Sequence, residues 1–188
     1  MADMKQKILD VAQFHIQTKG YRGFSYHVLS KELGIKTASI HYHFPKKEDL
    51  ATALIMRYTE GVESYLRETS ALYPDDPEGG LRRFAALFES IVAEKQKICL
   101  FGMLSCEQAA LTENQKEGIL AGFKKMETWL SKLLASGREK GCFQFYGDAG
   151  ERARLLIACF EGGMQMARLA KGKPGLSRVL ELVRSGAD

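Results

Sequence analysis

Residues 34–50 read GIKTASIHYHFPKKEDL. Two histidines one residue apart, set among aromatics and closed by a proline and two lysines, fit either a metal site or the end of a nucleic-acid-reading helix. Helix geometry separates these readings. Residues i and i+2 on a helix point about 200° apart, so His41 and His43 cannot hold one metal between them. A strand would align them, but Gly34 before and Pro45 after leave no room for one. No metal site is expected.

The neighbouring sequence supports the helical reading. A first helix spans about 3–19, with Ile8, Ala12 and Ile16 four apart on one face and Gly20 as its stop. Ser25 caps a second helix to about Glu32, burying Val28, Leu29 and Leu33, and Gly34 makes the turn. A third short helix covers about 37–42 and ends before Pro45. A long helix follows over about 47–72. A helix, a glycine turn and a second short helix form a helix-turn-helix arrangement, whose second helix can lie in a major groove. Ile40 and Phe44 anchor that helix. Thr37, Ala38, Ser39, His41 and Tyr42 remain outward, flanked by Lys36, Lys46 and Lys47.

Composition narrows the function classes. The chain has 188 residues, 45% hydrophobic and 27% charged, as in ordinary globular domains. No apolar run approaches the ~20 residues of a membrane span, and the N-terminus has no signal-peptide core, so a cytoplasmic protein without a membrane partner is expected. The four cysteines (Cys99, Cys106, Cys142, Cys159) show no CxxC spacing. Residues 1–58 hold 9 Lys/Arg against 5 Asp/Glu, and the remainder 18 of each. The excess of cations in the first segment points to an anionic partner there.

Beyond the break YPDDPEGG (73–80), helices are expected at about 79–95, 98–111, 113–140, 149–171 and 175–185. Capping boxes at Thr112–Gln115 and Asp148–Glu151 open the third and fourth of these. The fold class is therefore all-α with about nine helices: a helix-turn-helix domain over 1–46, and a connecting helix with a C-terminal domain over 47–188.

The run ILDVAQFHIQTKGYRGFSYHVLSKELGIKTASIHYHFPKKEDL resembles the N-terminal domain of tetracycline-repressor-type (TetR family) regulators. The similarity spans about residues 5–58. It lies in Lys19–Gly20–Tyr21, Leu29 with Leu33–Gly34–Ile35, and Tyr42–His43–Phe44–Pro45 with Lys47–Glu48. Residues 59–188 match the family only in layout. The resemblance implies a DNA-binding head and a helical domain for dimerisation and effector binding, with no cofactor. It assigns base and phosphate contacts to positions 37–39, 41 and 42, and second-helix contacts to Tyr26 and His27. It makes Lys47 a phosphate ligand, and Ser25, Lys36 and Lys46 complete the DNA-facing set. The chain departs from the family at His41, where tyrosine is usual, and at His27, where an arginine-like group is usual. Lysines also replace the small caps at 36 and 46. Losing a serine cap costs roughly 1 kcal/mol, and a cation at the positive end of a helix is unfavourable.

In the second half, LLIACF (155–160) is apolar on all sides and runs into Gly162–Gly163. Mid-helix glycines cost about 1 kcal/mol each, which suggests close approach of another helix. Ala158, Gly162, Met166, Leu176, Val179, Leu180 and Val183 are the expected homodimer interface. The effector candidates are Phe84, Phe88, Phe101, Met103, Cys106, Glu107, Phe123, Met126, Trp129, Phe160 and Met164, which favour an apolar or aromatic small molecule; Gln108 is a further polar candidate. Cys99 and Cys106 lie ~10 Å apart along a helix, too far for a disulfide.

The leading expectation is a ligand-responsive repressor that leaves a palindromic double-stranded operator when its effector binds. The alternatives are an activator, or a helical small-molecule-binding protein or enzyme with a vestigial head. Against an enzyme, the chain has no Gly-rich phosphate loop, no GxSxG, no HExxH and no plausible carboxylate pair.

Overall fold

Gly20, Gly34 and Pro45 punctuate the N-terminal helices as the sequence predicts. The computed structural model describes residues 4–170 and 176–183, the side chains of 176–179 excepted. Helix α1 spans Met4–Lys19 and α2 Tyr26–Leu33; α3 covers Thr37–His43 and α4 Lys47–Leu72. Ser25 caps α2 by accepting from the Val28 amide. Gly34 closes α2 in the left-handed region at φ 66°, donating to the Ser30 carbonyl, a conformation that favours glycine. A 3-10 turn, Tyr21–Gly23, joins α1 to α2.

The later helices are α5 (Pro77–Ala93), α6 (Leu100–Cys106), α7 (Glu113–Glu139) and α8 (Ala149–Ala170). Pro77 sits at the first turn of α5, where a missing N–H costs nothing, and Asp76 caps it through the Gly79 amide at 2.8 Å. The capping box of α7 is reciprocal: Gln115 N–H donates to Thr112 Oγ1, and Thr112 N–H to Gln115 Oε1 at 3.0 Å. No strand occurs among the described residues.

Two expected helices differ from the sequence reading. The segment 98–111 is not one helix: α6 ends at Cys106 with Glu107 as its C-cap, and a 3-10 turn Gln108–Ala110 follows. The last segment, Leu176–Val183, is 3-10 rather than α. Its period of three places Leu180 and Val183 on one side, and both are buried.

The chain forms two compact units that cut across the expected boundary at residue 46. The first comprises Met1–Glu60 with Cys99–Gly122, and the second Gly61–Ile98 with Phe123–Asp188. Helix α4 is 26 residues long and α7 is 27, so each contributes to both units. In the first unit Ile8, Ala12, Ile16, Leu29, Ile40, Leu50 and Leu54 are fully buried. At about 25 cal/mol per Å² of apolar surface, each large side chain here contributes roughly 1.5–3 kcal/mol. The second unit is built on Phe84, Phe88, Leu130, Leu134 and Phe160, all at most 1% exposed.

Candidate nucleic-acid interface

Helix α3 carries the candidate surface. Ile40 and Phe44, both buried, fix its inner face and leave Ala38, His41 and Tyr42 exposed, with Tyr42 84% exposed. Thr37 and Ser39 are partly covered. Thr37 Oγ1 donates to Ser30 Oγ at 3.2 Å, which ties the start of α3 to α2 and sets the angle between them. Lys36 is the N-cap residue of α3 and makes no side-chain cap, so the predicted uncapped start is present. At α4 the missing cap is replaced from within the helix: Asp49 Oδ2 accepts from the Lys46 amide at 2.9 Å. Aspartate three residues past the cap was the sequence signal for this. The side chains of Lys36 and Lys46 are both exposed, and so are Ser25 and His27.

His41 is oriented rather than loose. Its Nδ1 lies 3.1 Å from the Pro45 carbonyl, which can only accept, so Nδ1 carries the proton and Nε2 is left for another partner. Its ring meets Tyr26 edge to face at 4.8 Å.

Two expected DNA contacts turn inward. Tyr26 is buried, and its hydroxyl lies 2.8 Å from the Phe44 carbonyl and 2.6 Å from that of Lys46. Burial and the carboxylates of Asp49 and Glu48 push its pKa up. Tyr26 is therefore a strut between α2 and the α3–α4 turn, its hydroxyl within hydrogen-bond distance of the Phe44 and Lys46 carbonyls on either side of Pro45. Lys47 also turns towards its own backbone. Its Nζ donates to the Tyr21 and Phe24 carbonyls at 2.8 Å each and lies over both rings at 4.5 and 4.2 Å. Burial lowers the pKa of its ammonium, with Glu107 and Glu48 opposing. Two of its three protons serve the chain's own backbone.

Glu107, an expected effector ligand, is engaged with backbone amides of its own unit. Its Oε1 accepts from the Tyr21 amide at 2.6 Å and its Oε2 from Arg22 at 3.2 Å, so it clamps the 3-10 turn before α2. Gly20, at φ 84°, admits this approach, since a Cβ there would collide with the carboxylate. Cys106 beside it is exposed, and Met103 is partly covered. Phe101 is buried in the first unit against Tyr58 and Gly122. The other effector candidates lie in the second unit. There Phe88 stacks on Phe160 at 4.9 Å, and Phe84 touches Phe88, Phe160 and Trp129 at 5.2–5.7 Å. Met126 and Met164 are buried, and Phe123 is partly covered.

Of the expected dimer residues, Ala158 and Met166 are exposed on α8, and a Cβ on Gly162 would meet nothing within 4 Å. Leu180 and Val183 are instead buried in their own unit, where their segment packs on α5 and α8. A side chain already in that core cannot also supply an open interface. The side chains of Leu176 and Val179 lie outside the described residues.

The sequence profile described as bacterial regulatory proteins, tetR family, matches residues 8–54, from within α1 through α2 and α3 into the start of α4. The HTH-type transcriptional regulator LmrA of Bacillus subtilis is 26% identical over 94% of this chain and 93% of its own. A TetR-family regulator from Legionella pneumophila superimposes with a TM-score of 0.85 at 29% identity, covering 98% and 95% of the two chains. A transcriptional regulator of the same family from Agrobacterium tumefaciens gives 0.85 at 30% identity over 96% of this chain and 93% of that one. By the match at its helix-turn-helix and by likeness along nearly its whole length, the chain belongs to the TetR family of bacterial transcriptional regulators.

Proposed function

We propose that the chain is a homodimeric repressor that binds a palindromic operator and leaves it when a small apolar or aromatic effector binds. The observation that carries the DNA-binding half is the outward face of α3. Ala38, His41 and an 84%-exposed Tyr42 project from a helix whose two neighbouring turns hold the exposed Lys36 and Lys46. Hydroxyl, imidazole and ammonium groups at that spacing supply donors and acceptors for base edges, and cations for phosphates.

Two further observations support the remainder. Leu155, Ala158, Cys159, Met166 and Leu169 are exposed at helical spacing along α8, with Met166 at 73% and Leu169 at 86%. Such a stripe suits a second copy laid against it. The Glu107 carboxylate joins the end of α6 to the turn that precedes α2. A change in α6 on ligand binding would thus reach the head, and the ligand would shift the DNA-binding equilibrium by its differential affinity for the two states.

The test is selection of duplex fragments by the purified protein, followed by affinity measured against salt. A palindromic consensus is expected, with half-sites about one DNA turn, ~34–36 Å, apart and binding that weakens steeply with salt. Tyr42→Ala should weaken binding to all sequences, while changes at Ser39 or His41 should alter the preferred one. An absence of enriched sequence would defeat the operator reading.

A further inference from the structure

In the second unit a cleft of about 460 Å³ runs between α4 and α7, lined by Glu63, Leu66, Arg67, Lys124, Lys125, Thr128, Trp129 and Lys132. We propose that this cleft binds a small planar aromatic anion, a carboxylate or a phosphate ester, with the flat group on Trp129 and the charge between Arg67 and Lys132.

The charge is local and unbalanced. Residues 59–188 hold equal numbers of acids and bases, yet the cleft has four cations against the single carboxylate of Glu63. Lys125 pairs with that carboxylate, and Lys124 pairs with Glu127 at 3.1 Å. Arg67 and Lys132 are exposed, and among the described residues neither has an ion-pair or hydrogen-bond partner. Two uncompensated cations facing one cleft raise the local positive potential and favour an anion. Arg67 adds a planar fork that matches carboxylate or phosphate oxygens two at a time.

The aromatic requirement comes from Trp129. Its indole N–H donates to Ser70 Oγ at 2.8 Å, and its ring rests on the buried Phe84 at 5.4 Å with an interplanar angle of 31°. The half-buried indole is thus held in place without closing the cleft, and Leu66 adds an apolar wall. A fixed π-surface beside unpaired cations recognises both parts of an aromatic acid, with offset stacking worth about 0.5–1.5 kcal/mol beyond area. The volume falls within the range of small-ligand pockets, ~300–1,000 Å³.

This inference goes beyond the regulator reading and uses no DNA measurement, so either can fail alone. Trp129 is the only tryptophan, and its indole N–H gives one resolved resonance in a nitrogen–proton spectrum of the full chain. The probes are 2-naphthoate and 2-naphthyl phosphate, with 2-naphthylmethanol as the neutral analogue and inorganic phosphate as the charge alone. At least one naphthyl anion should bind saturably, one per chain by calorimetry, and shift that resonance. The preferred anion decides between carboxylate and phosphate ester. Arg67→Gln and Lys132→Gln should each weaken binding about tenfold, the loss expected for one charged contact, with helical content unchanged. Equal binding of the neutral analogue, equal binding of inorganic phosphate, or no saturation below about 10 mM would overturn the proposal. So would a stationary indole resonance, or indifference to both substitutions.

Discussion

The carboxylate of Glu107 closes on the backbone of Tyr21, with Oε1 2.6 Å from its amide nitrogen and Oε2 3.2 Å from that of Arg22. A residue 86 positions away in sequence thereby satisfies the open amides of the turn before α2. Glu107→Ala leaves two donors without their acceptor and should destabilise the protein by about 1–3 kcal/mol in denaturant titration. Glu107→Gln, which keeps one acceptor oxygen, should cost less. An unchanged midpoint for the alanine variant would show that solvent replaces the carboxylate at no cost.

Tyr21 itself gives an alkaline signature. Its buried hydroxyl has no hydrogen-bond partner among the described residues. Burial, with Glu48 and Glu107, raises its pKa from 10.0 to about 12. A phenol whose folded pKa lies above its unfolded value contributes stability that is complete below the unfolded value and declines as pH rises to the folded one. Stability should therefore fall between pH 10 and about 12. Lys47, whose pKa burial lowers from 10.5, acts in the opposite direction below that value, so the comparison with Tyr21→Phe isolates the phenol. Tyr21→Phe should match or exceed the parent by roughly 1 kcal/mol near neutrality, because it removes an unpaired buried hydroxyl, and should lose less stability above pH 10. Parallel alkaline curves for the two proteins would exclude this role.

The contrast between these inward groups and the helix ends marks what the sequence could reveal. Gly34, Pro45 and the Thr112–Gln115 pair act through local backbone chemistry, so the helix-turn-helix and the start of α7 were readable from adjacent residues. The outward side of α3 followed from Ile40 and Phe44 four residues apart. The inward contacts of Tyr26, Lys47 and Glu107 were not legible because each is a long side chain with a polar tip, and such a tip goes where a distant backbone group needs it. The break of α6 at Glu107 had no glycine or proline to announce it. The aromatic residues of 84–164 stand in the sequence as one set of effector candidates, but Phe101 belongs to the first unit and Phe84, Phe88 and Phe160 to the core of the second. Helical spacing identifies buried faces without saying which unit they enter.

Lys47 now carries a structural prediction in place of the phosphate contact expected for it. Lys47→Met keeps the aliphatic stem but removes the donor for the Tyr21 and Phe24 carbonyls and the charge over both rings. Loss of roughly 2 kcal/mol or more is expected, because charge-assisted hydrogen bonds are the stronger kind. Operator affinity should fall with stability, while the slope of log affinity against log salt stays that of the parent. A variant of normal stability whose slope drops by about one would return Lys47 to the phosphate-contacting set.

The exposed stripe of α8 tests the homodimer. Leu155, Met166 and Leu169 are 60%, 73% and 86% exposed, and Gly162 lies between them with open space over its Cα. An apolar row of this length on one helix is stabilised by removal from water, at about 25 cal/mol per Å² of surface covered. A charge placed on it remains solvated in a free chain and would have to be desolvated in a dimer, which costs several kcal/mol per ion. Met166→Asp and Gly162→Glu should therefore sediment as monomers while retaining their helical signal, since neither position supports the core of its own unit. Each monomer should lose operator binding far more than it loses stability, because a palindromic site needs two heads held together. Val183→Asp gives the contrasting result: Val183 is fully buried and accepts the Gln144 amide at 2.8 Å through its carbonyl, so that variant should unfold at lower denaturant. If Met166→Asp and Gly162→Glu both remain dimeric, the two copies meet through another face, and the α8 stripe is covered by something other than its counterpart.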